Sequence, residues 1–171
     1  MKEQVLAVIL NSEPIYHDRQ YKEGDEKIIV DDKKGNKVTL AKHKKLYPYK
    51  LDVDLLCKII TNKRTFSFTI FQDYCWNGAD IPSFLWVLVG SKDNPEFKVP
   101  SMVHDFMLEF KEYIYKYLLR GQISIDEYRR LTSLIFRELL KTYGTKTIKS
   151  NIMSGAVQLF QATLNAKDWK I

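Results

Sequence analysis

β-branched and aromatic runs punctuated by turn residues mark the first half of the chain, and the three-and-four spacing of helices takes over in the second half. Strands are predicted over residues 4–11, 27–30 and 38–41, where β-branched residues are punctuated by turn formers. Asp31-Asp32-Lys33-Lys34-Gly35-Asn36 joins the second and third of these as a hairpin. Residues 51–61 and 65–71 predict a further hairpin about Asn62-Lys63-Arg64, with Phe66, Phe68 and Ile70 on one face. The stretch 54–60 also fits a helix, so both readings stand at this stage.

Beyond Pro82 a short apolar helix is expected over 83–89, closed by Gly90, followed by a Pro- and charge-containing loop over 91–98. A helix over 99–119 follows, with Met102, Val103, Phe106, Phe110, Ile114 and Tyr117 as its inward stripe and Gly121 as its stop. Ser124-Ile125-Asp126-Glu127 has the form of a capping box, opening a helix that runs to Tyr143 and ends at Gly144. Thr145 then caps a last helix in which Ile148, Ile152, Ala156, Leu159, Phe160 and Thr163 keep one period. The fold class this implies is α+β: an N-terminal, mostly antiparallel set of β-hairpins followed by a bundle of about three helices, in one domain over residues 1–171.

Composition agrees with this pattern. A chain of 171 residues that is 45% hydrophobic and 13% aromatic has enough apolar surface to close a core, which excludes a disordered chain. Lys and Arg outnumber Asp and Glu by 27 to 21, a net charge of +6 that favours solubility and a weak attraction to polyanions without selecting a partner. Cys57 and Cys75 are the only cysteines and have no zinc-finger spacing, which fits a reducing, cytoplasmic setting rather than a disulfide framework. The apolar run Val5–Leu10 is too short for a signal-peptide core or a membrane span, so no membrane partner is expected.

Candidate chemistry lies between Asn77 and Asp105. His104 and Asp105 offer a nitrogen and an oxygen ligand on one helix, able to reach a common divalent metal; a hydrogen-bonded histidine beside a core stripe is the other reading. The turn Asn77-Gly78-Ala79-Asp80-Ile81-Pro82 supplies a flexible Gly, a Pro suited to a first helical turn, and two side chains that can cap or coordinate. Glu109 and Glu112 continue the acidic stripe from Asp105 and read as a solvated face.

A third feature is the basic, aromatic run Lys42-His43-Lys44-Lys45-Leu46-Tyr47-Pro48-Tyr49-Lys50. Lys42, Lys44 and Lys45 are binding candidates for an acidic protein surface or, more weakly, nucleic acid, against the alternative of a solvated loop.

The segments Asn77–Pro82, Phe84-Leu85-Trp86 and His104-Asp105-Phe106-Met107 resemble, in order and spacing, a phage- and prophage-associated domain of unknown function, DUF1353. The resemblance covers residues 51–164 and leaves the first fifty as an extension. It implies a convergent polar site of Asp, Ser, His-Asp and a later Asp, an arrangement similar to that of His-Asp phosphohydrolases. On that analogy His104 and Asp105 would hold a divalent metal that acidifies a bound water, Asp80 would be a third ligand or general base, and Asn77 would bind beside it. This chain departs from the family pattern where Asn77 replaces an Asp, Asp80 a Ser and Ser133 an Asp.

Two functional expectations follow. One is a phage or prophage accessory protein with a metal-dependent hydrolase-like site acting on an ester, phosphoester or amide. The other is a non-enzymatic module, binding phage proteins or an acidic partner, in which the same polar residues lock sheet to helices.

Overall fold

Among the described residues, two three-stranded antiparallel sheets, in the strand orders Val5–Leu10, Leu55–Thr61, Thr65–Ile70 and Tyr16–Asp18, Tyr49–Leu51, Cys75–Trp76, and a separate pair, Ile28–Asp31 with Lys37–Leu40, precede the helices. The structure is a computed structural model and describes residues 3–18, 28–31, 37–40, 49–78 and 94–163. The strands are β1 (Val5–Leu10), β2 (Tyr16–Asp18), β3 (Ile28–Asp31), β4 (Lys37–Leu40), β5 (Tyr49–Leu51), β6 (Leu55–Thr61), β7 (Thr65–Ile70) and β8 (Cys75–Trp76). The expected helices become α1 (Pro95–Glu109), a single turn α2 (Lys111–Tyr113) that passes into a π-helical turn (Ile114–Leu118), α3 (Ile125–Thr142) and α4 (Thr147–Thr163). The α+β class is thus observed.

β6 alternates strictly: Leu55, Cys57, Ile59 and Thr61 are buried, and Phe66, Phe68 and Ile70 of β7 join them on the inner face. Register follows from this pattern, because Cys57 pairs with Phe68 and Ile59 with Phe66, and a one-residue slip would turn every one of these side chains outward. Residues 55–60 are therefore strand, not helix. The strand expected over 51–61 breaks at Asp52–Asp54, where the Asp54 carboxylate accepts from the Gln72 backbone N–H at 2.7 Å and turns the chain. β3 and β4 pair from Ile28↔Leu40 to Asp31↔Lys37, as the hairpin reading requires.

Trp76, Tyr74, Tyr49, Phe68 and Phe106 close the sheet side of the core, with Val99, Met102, Val103 and Met107 supplied by α1. Burying a large apolar side chain contributes about 1.5–3 kcal/mol, so this one cluster accounts for most of the stabilisation joining the sheets to the helices. Cys57 lies in it, and burial pushes its thiol up to about 12, which leaves it an inert apolar group.

The helix boundaries differ from the sequence reading at three places. α1 starts at Pro95 rather than Val99, because Asn94 accepts from the Glu96 N–H at 3.0 Å and Pro95 takes the first helical position. The expected helix over 99–119 is interrupted at Phe110. Beyond it the Leu119 N–H bonds the Ile114 carbonyl at 2.9 Å, five residues back, and this wider turn rotates Tyr117 outward and Leu119 inward. Finally, the Thr145 hydroxyl does not cap α4; it donates to Glu96 Oε2 at 3.1 Å, tying the start of α1 to the α3–α4 turn.

The capping box is present in full. Glu127 N–H donates to Ser124 Oγ at 3.1 Å and Ser124 N–H to Glu127 Oε2 at 2.9 Å. Gly144, at φ 95°, ends the helix in the left-handed region that glycine adopts without strain.

α4 presents the face opposite to the one its aliphatic spacing predicts. Ser150, Met153, Ser154 and Gln161 are buried, whereas Ile148, Ile152 and Leu159 are exposed. Small side chains at the inner face let α3 and α4 approach closely enough for Ser154 Oγ to donate to the Ser133 carbonyl at 2.8 Å.

Candidate functional site

His104 sits in the third turn of α1, at the junction of α1, α3 and α4, and is only 8% exposed. Its ring lies 5.2 Å from that of Phe136 on α3, beside a small apolar cluster of Phe97, Phe136, Leu140 and Met153. The sequence reading put it on the shoulder of α1; the packing of α4 across that shoulder buries it.

Both ring nitrogens face polar atoms. Nε2 is 2.8 Å from the side-chain amide nitrogen of Gln161, which is itself 3% exposed, and Nδ1 is 3.5 Å from Asp105 Oδ1. Two nitrogens in contact cannot both donate, so with the amide nitrogen in this place Gln161 donates to a bare Nε2. If the amide is turned over, Nε2–H donates to Gln161 Oε1 instead. Either way, Gln161 occupies Nε2. Asp105, on the half-buried flank of α1, faces the other ring nitrogen.

Of the remaining sequence candidates, Asn77 is half-buried and follows β8 directly, with Gly78 at φ 84° behind it. The strand is fastened to α1 by Trp76, whose indole N–H donates to the Lys98 carbonyl at 3.0 Å. Lys98 precedes His104 by six residues, about 9 Å along the helix axis. The strand that leads into the turn is thereby fastened to the first turn of α1, while residues 79–82 of the turn lie outside the described residues. Asp80, the helix expected over 83–89, and Lys42, Lys44 and Lys45 lie outside the described residues. Ser133, where the resemblance leads one to expect an acid, is buried on α3 with its hydroxyl donating to the Arg129 carbonyl at 3.2 Å. Asp126 is exposed and paired with Arg129, and Glu112 with Lys116, both on the solvent side.

Gln161 is the residue of this site that sequence reasoning missed. The only signal in the chain is a polar side chain set among apolar neighbours near the end of α4, and its partner lies 57 residues away.

A metal site needs three or more convergent ligands with free lone pairs. Among the described residues no group of three His, Cys, Asp or Glu side chains comes together in this way. Gln161 lies against Nε2 and Asp105 faces Nδ1, while Asp80, the third ligand expected from the sequence, lies outside the described residues. No helix among them is long and apolar enough to cross a membrane.

No curated protein and no solved structure matches the chain. A family comparison does match, over residues 52–157, which takes in β6, β7, β8, α1, α3 and most of α4. That span exceeds half of the chain and contains both the Asn77 turn and His104-Asp105, so the chain belongs to the family described as protein of unknown function (DUF1353).

Proposed function

We propose that this chain is a non-enzymatic binding module, an accessory protein of phage or prophage, in which His104, Asp105 and the Asn77 turn hold the sheet and helices together. One observation carries this reading: the His104–Gln161 contact, which removes the imidazole nitrogen that catalysis or metal binding would use and makes it a tie between α1 and α4. The phage setting, within a bacterial cytoplasm, rests on the family resemblance alone. Function then lies on the surface, with Lys42, Lys44 and Lys45 offering charge for an acidic protein partner or, more weakly, nucleic acid.

A second reading keeps the hydrolase-like site, with Asp80 and Asn77 converging on His104 and Asp105 and a divalent metal supplying the activated water. The Asp105 carboxylate beside Nδ1 favours it, since a carboxylate in that position orients imidazoles in catalytic and metal sites.

Elemental analysis after incubation with Zn2+ or Mn2+ and desalting, run on the wild type and His104→Ala, separates the two. The binding-module reading expects no stoichiometric metal in either protein and a lowered melting temperature in His104→Ala. One equivalent of metal in the wild type, lost in His104→Ala without a change in melting temperature, would establish the hydrolase-like site instead.

A further inference from the structure

The two halves of α4 are held differently. Up to Ser154 the helix is anchored at several points. Met153 is buried with Phe97, Phe136 and Leu140, the Lys149 ammonium lies 4.8 Å from the centre of the Phe97 ring, and Ser154 donates to the Ser133 carbonyl. Gly155, which is exposed, follows this anchored half, and Ala156 and Val157 after it are half-buried. From there to Thr163 the buried side chain, among the described residues, is Gln161, and it meets His104 on α1. Its amide is only half satisfied, because Oε1 is buried without a hydrogen-bond partner.

We propose that the segment from Ala156 to Thr163 is a lid over His104, hinged at Gly155 and latched by Gln161. Glycine weakens a helix interior more than any residue except proline, so the ladder of backbone hydrogen bonds is weakest where the anchored half ends. A Cβ built on Gly155 meets nothing within 4 Å, so packing does not require a glycine there and its effect is on the backbone. The orphaned Oε1 lowers the cost of opening, because water satisfies the whole Gln161 amide once the segment lifts. Opening uncovers His104 Nε2, on an imidazole whose other nitrogen lies 3.5 Å from Asp105 Oδ1. The fold thus keeps its His-Asp pair closed to solutes and gives access to it without unfolding α1 or α3. The lid rests on the His104–Gln161 contact being a tie, which the melting temperature of His104→Ala tests separately; whether that tie opens locally is a different measurement.

Native-state hydrogen exchange of the full chain makes that measurement, paired with carbethoxylation of His104 by diethyl pyrocarbonate read by peptide mass spectrometry. In the wild type the Leu159 and Gln161 amides are expected to share one opening constant, at least about 100-fold above that of the Leu131 and Ile135 amides of α3. His104 is expected to react in proportion to that constant. Gly155→Ala should lower it about fivefold through helix propensity and slow the His104 reaction equally. Gln161→Ala should speed the reaction about tenfold, and the wild-type comparison stands without either variant. Opening of the Leu159 and Gln161 amides no more frequent than that of α3 overturns the proposal. So does a His104 that reacts faster than these amides open. Opening constants that climb steadily toward Thr163, or a Gly155→Ala protein that reacts like the wild type, overturn the hinge, and a Gln161→Ala protein that does so overturns the latch.

Discussion

Gln161 holds its side-chain amide nitrogen 2.8 Å from His104 Nε2, joining the last helix to the helix that bears the His-Asp pair. The contact is buried, and the Phe136 ring flanks it. A buried hydrogen bond contributes only about 1 kcal/mol net, yet removing one partner exposes the other to a penalty of about 1–3 kcal/mol. For a pair so far apart in sequence, that asymmetry makes His104 and Gln161 interdependent.

Ser133 provides a test of how packing has shaped this member of the family. Its side chain is buried, and its carbonyl accepts the Ser154 hydroxyl where α3 crosses α4. Ser133→Asp, which restores the acid of the family pattern, should destabilise the protein by on the order of 3 kcal/mol at neutral pH, because a carboxylate would be buried there in place of a hydroxyl. Burial raises the pKa of such a carboxyl, so the deficit should shrink as pH falls toward the unfolded value of about 4. Urea unfolding of the variant at pH 4.5 and pH 7 measures both effects. Tolerance of the acid with no loss would mean that a partner for it exists in the fold.

Tyr128 makes a buried polar link between α1 and α3. Its hydroxyl donates to the Met107 carbonyl at 2.8 Å, and burial raises the phenol above its ordinary range, so the donor keeps its proton. Tyr128→Phe should cost about 1–2 kcal/mol by leaving that carbonyl without the bond. The sign of the pH effect follows from the raised value: the unfolded phenol ionises first, so stability is lost as pH rises through about 10. In the Phe variant this contribution is absent. Chemical denaturation between pH 8 and 11 should therefore show a flatter profile for Tyr128→Phe than for the wild type.

Local signals in the sequence mark the fold well where one physical rule acts alone. Ser124 and Glu127 form the expected capping box, Gly144 stops α3, and the alternation of Phe66, Phe68 and Ile70 sets the β6–β7 register. The rest depends on contacts between distant segments. The start of α1 four residues ahead of the expected Val99 is set by the Asn94 side chain, which caps a turn opened by Pro95. The aliphatic period of α4 points to the wrong face because Ser150 and Ser154 meet their hydrogen-bonding needs inside a close helix crossing. At the site, the sequence singles out the His104-Asp105 pair and the Asn77 turn, of which residues 79–82 lie outside the described residues. It gives no hint of Gln161, whose partner is set by how α4 lies across α1. Spacing within α1 thus leaves open whether the imidazole is free or tied.

A double-mutant cycle on His104 and Gln161, read by equilibrium urea unfolding, tests the central claim most directly. His104→Ala and Gln161→Ala are each expected to lose about 1–3 kcal/mol, and the double variant about 1 kcal/mol less than the sum of the two. A His104→Ala protein as stable as the wild type, or losses that simply add, would contradict a structural tie and return His104 to the candidates for chemistry.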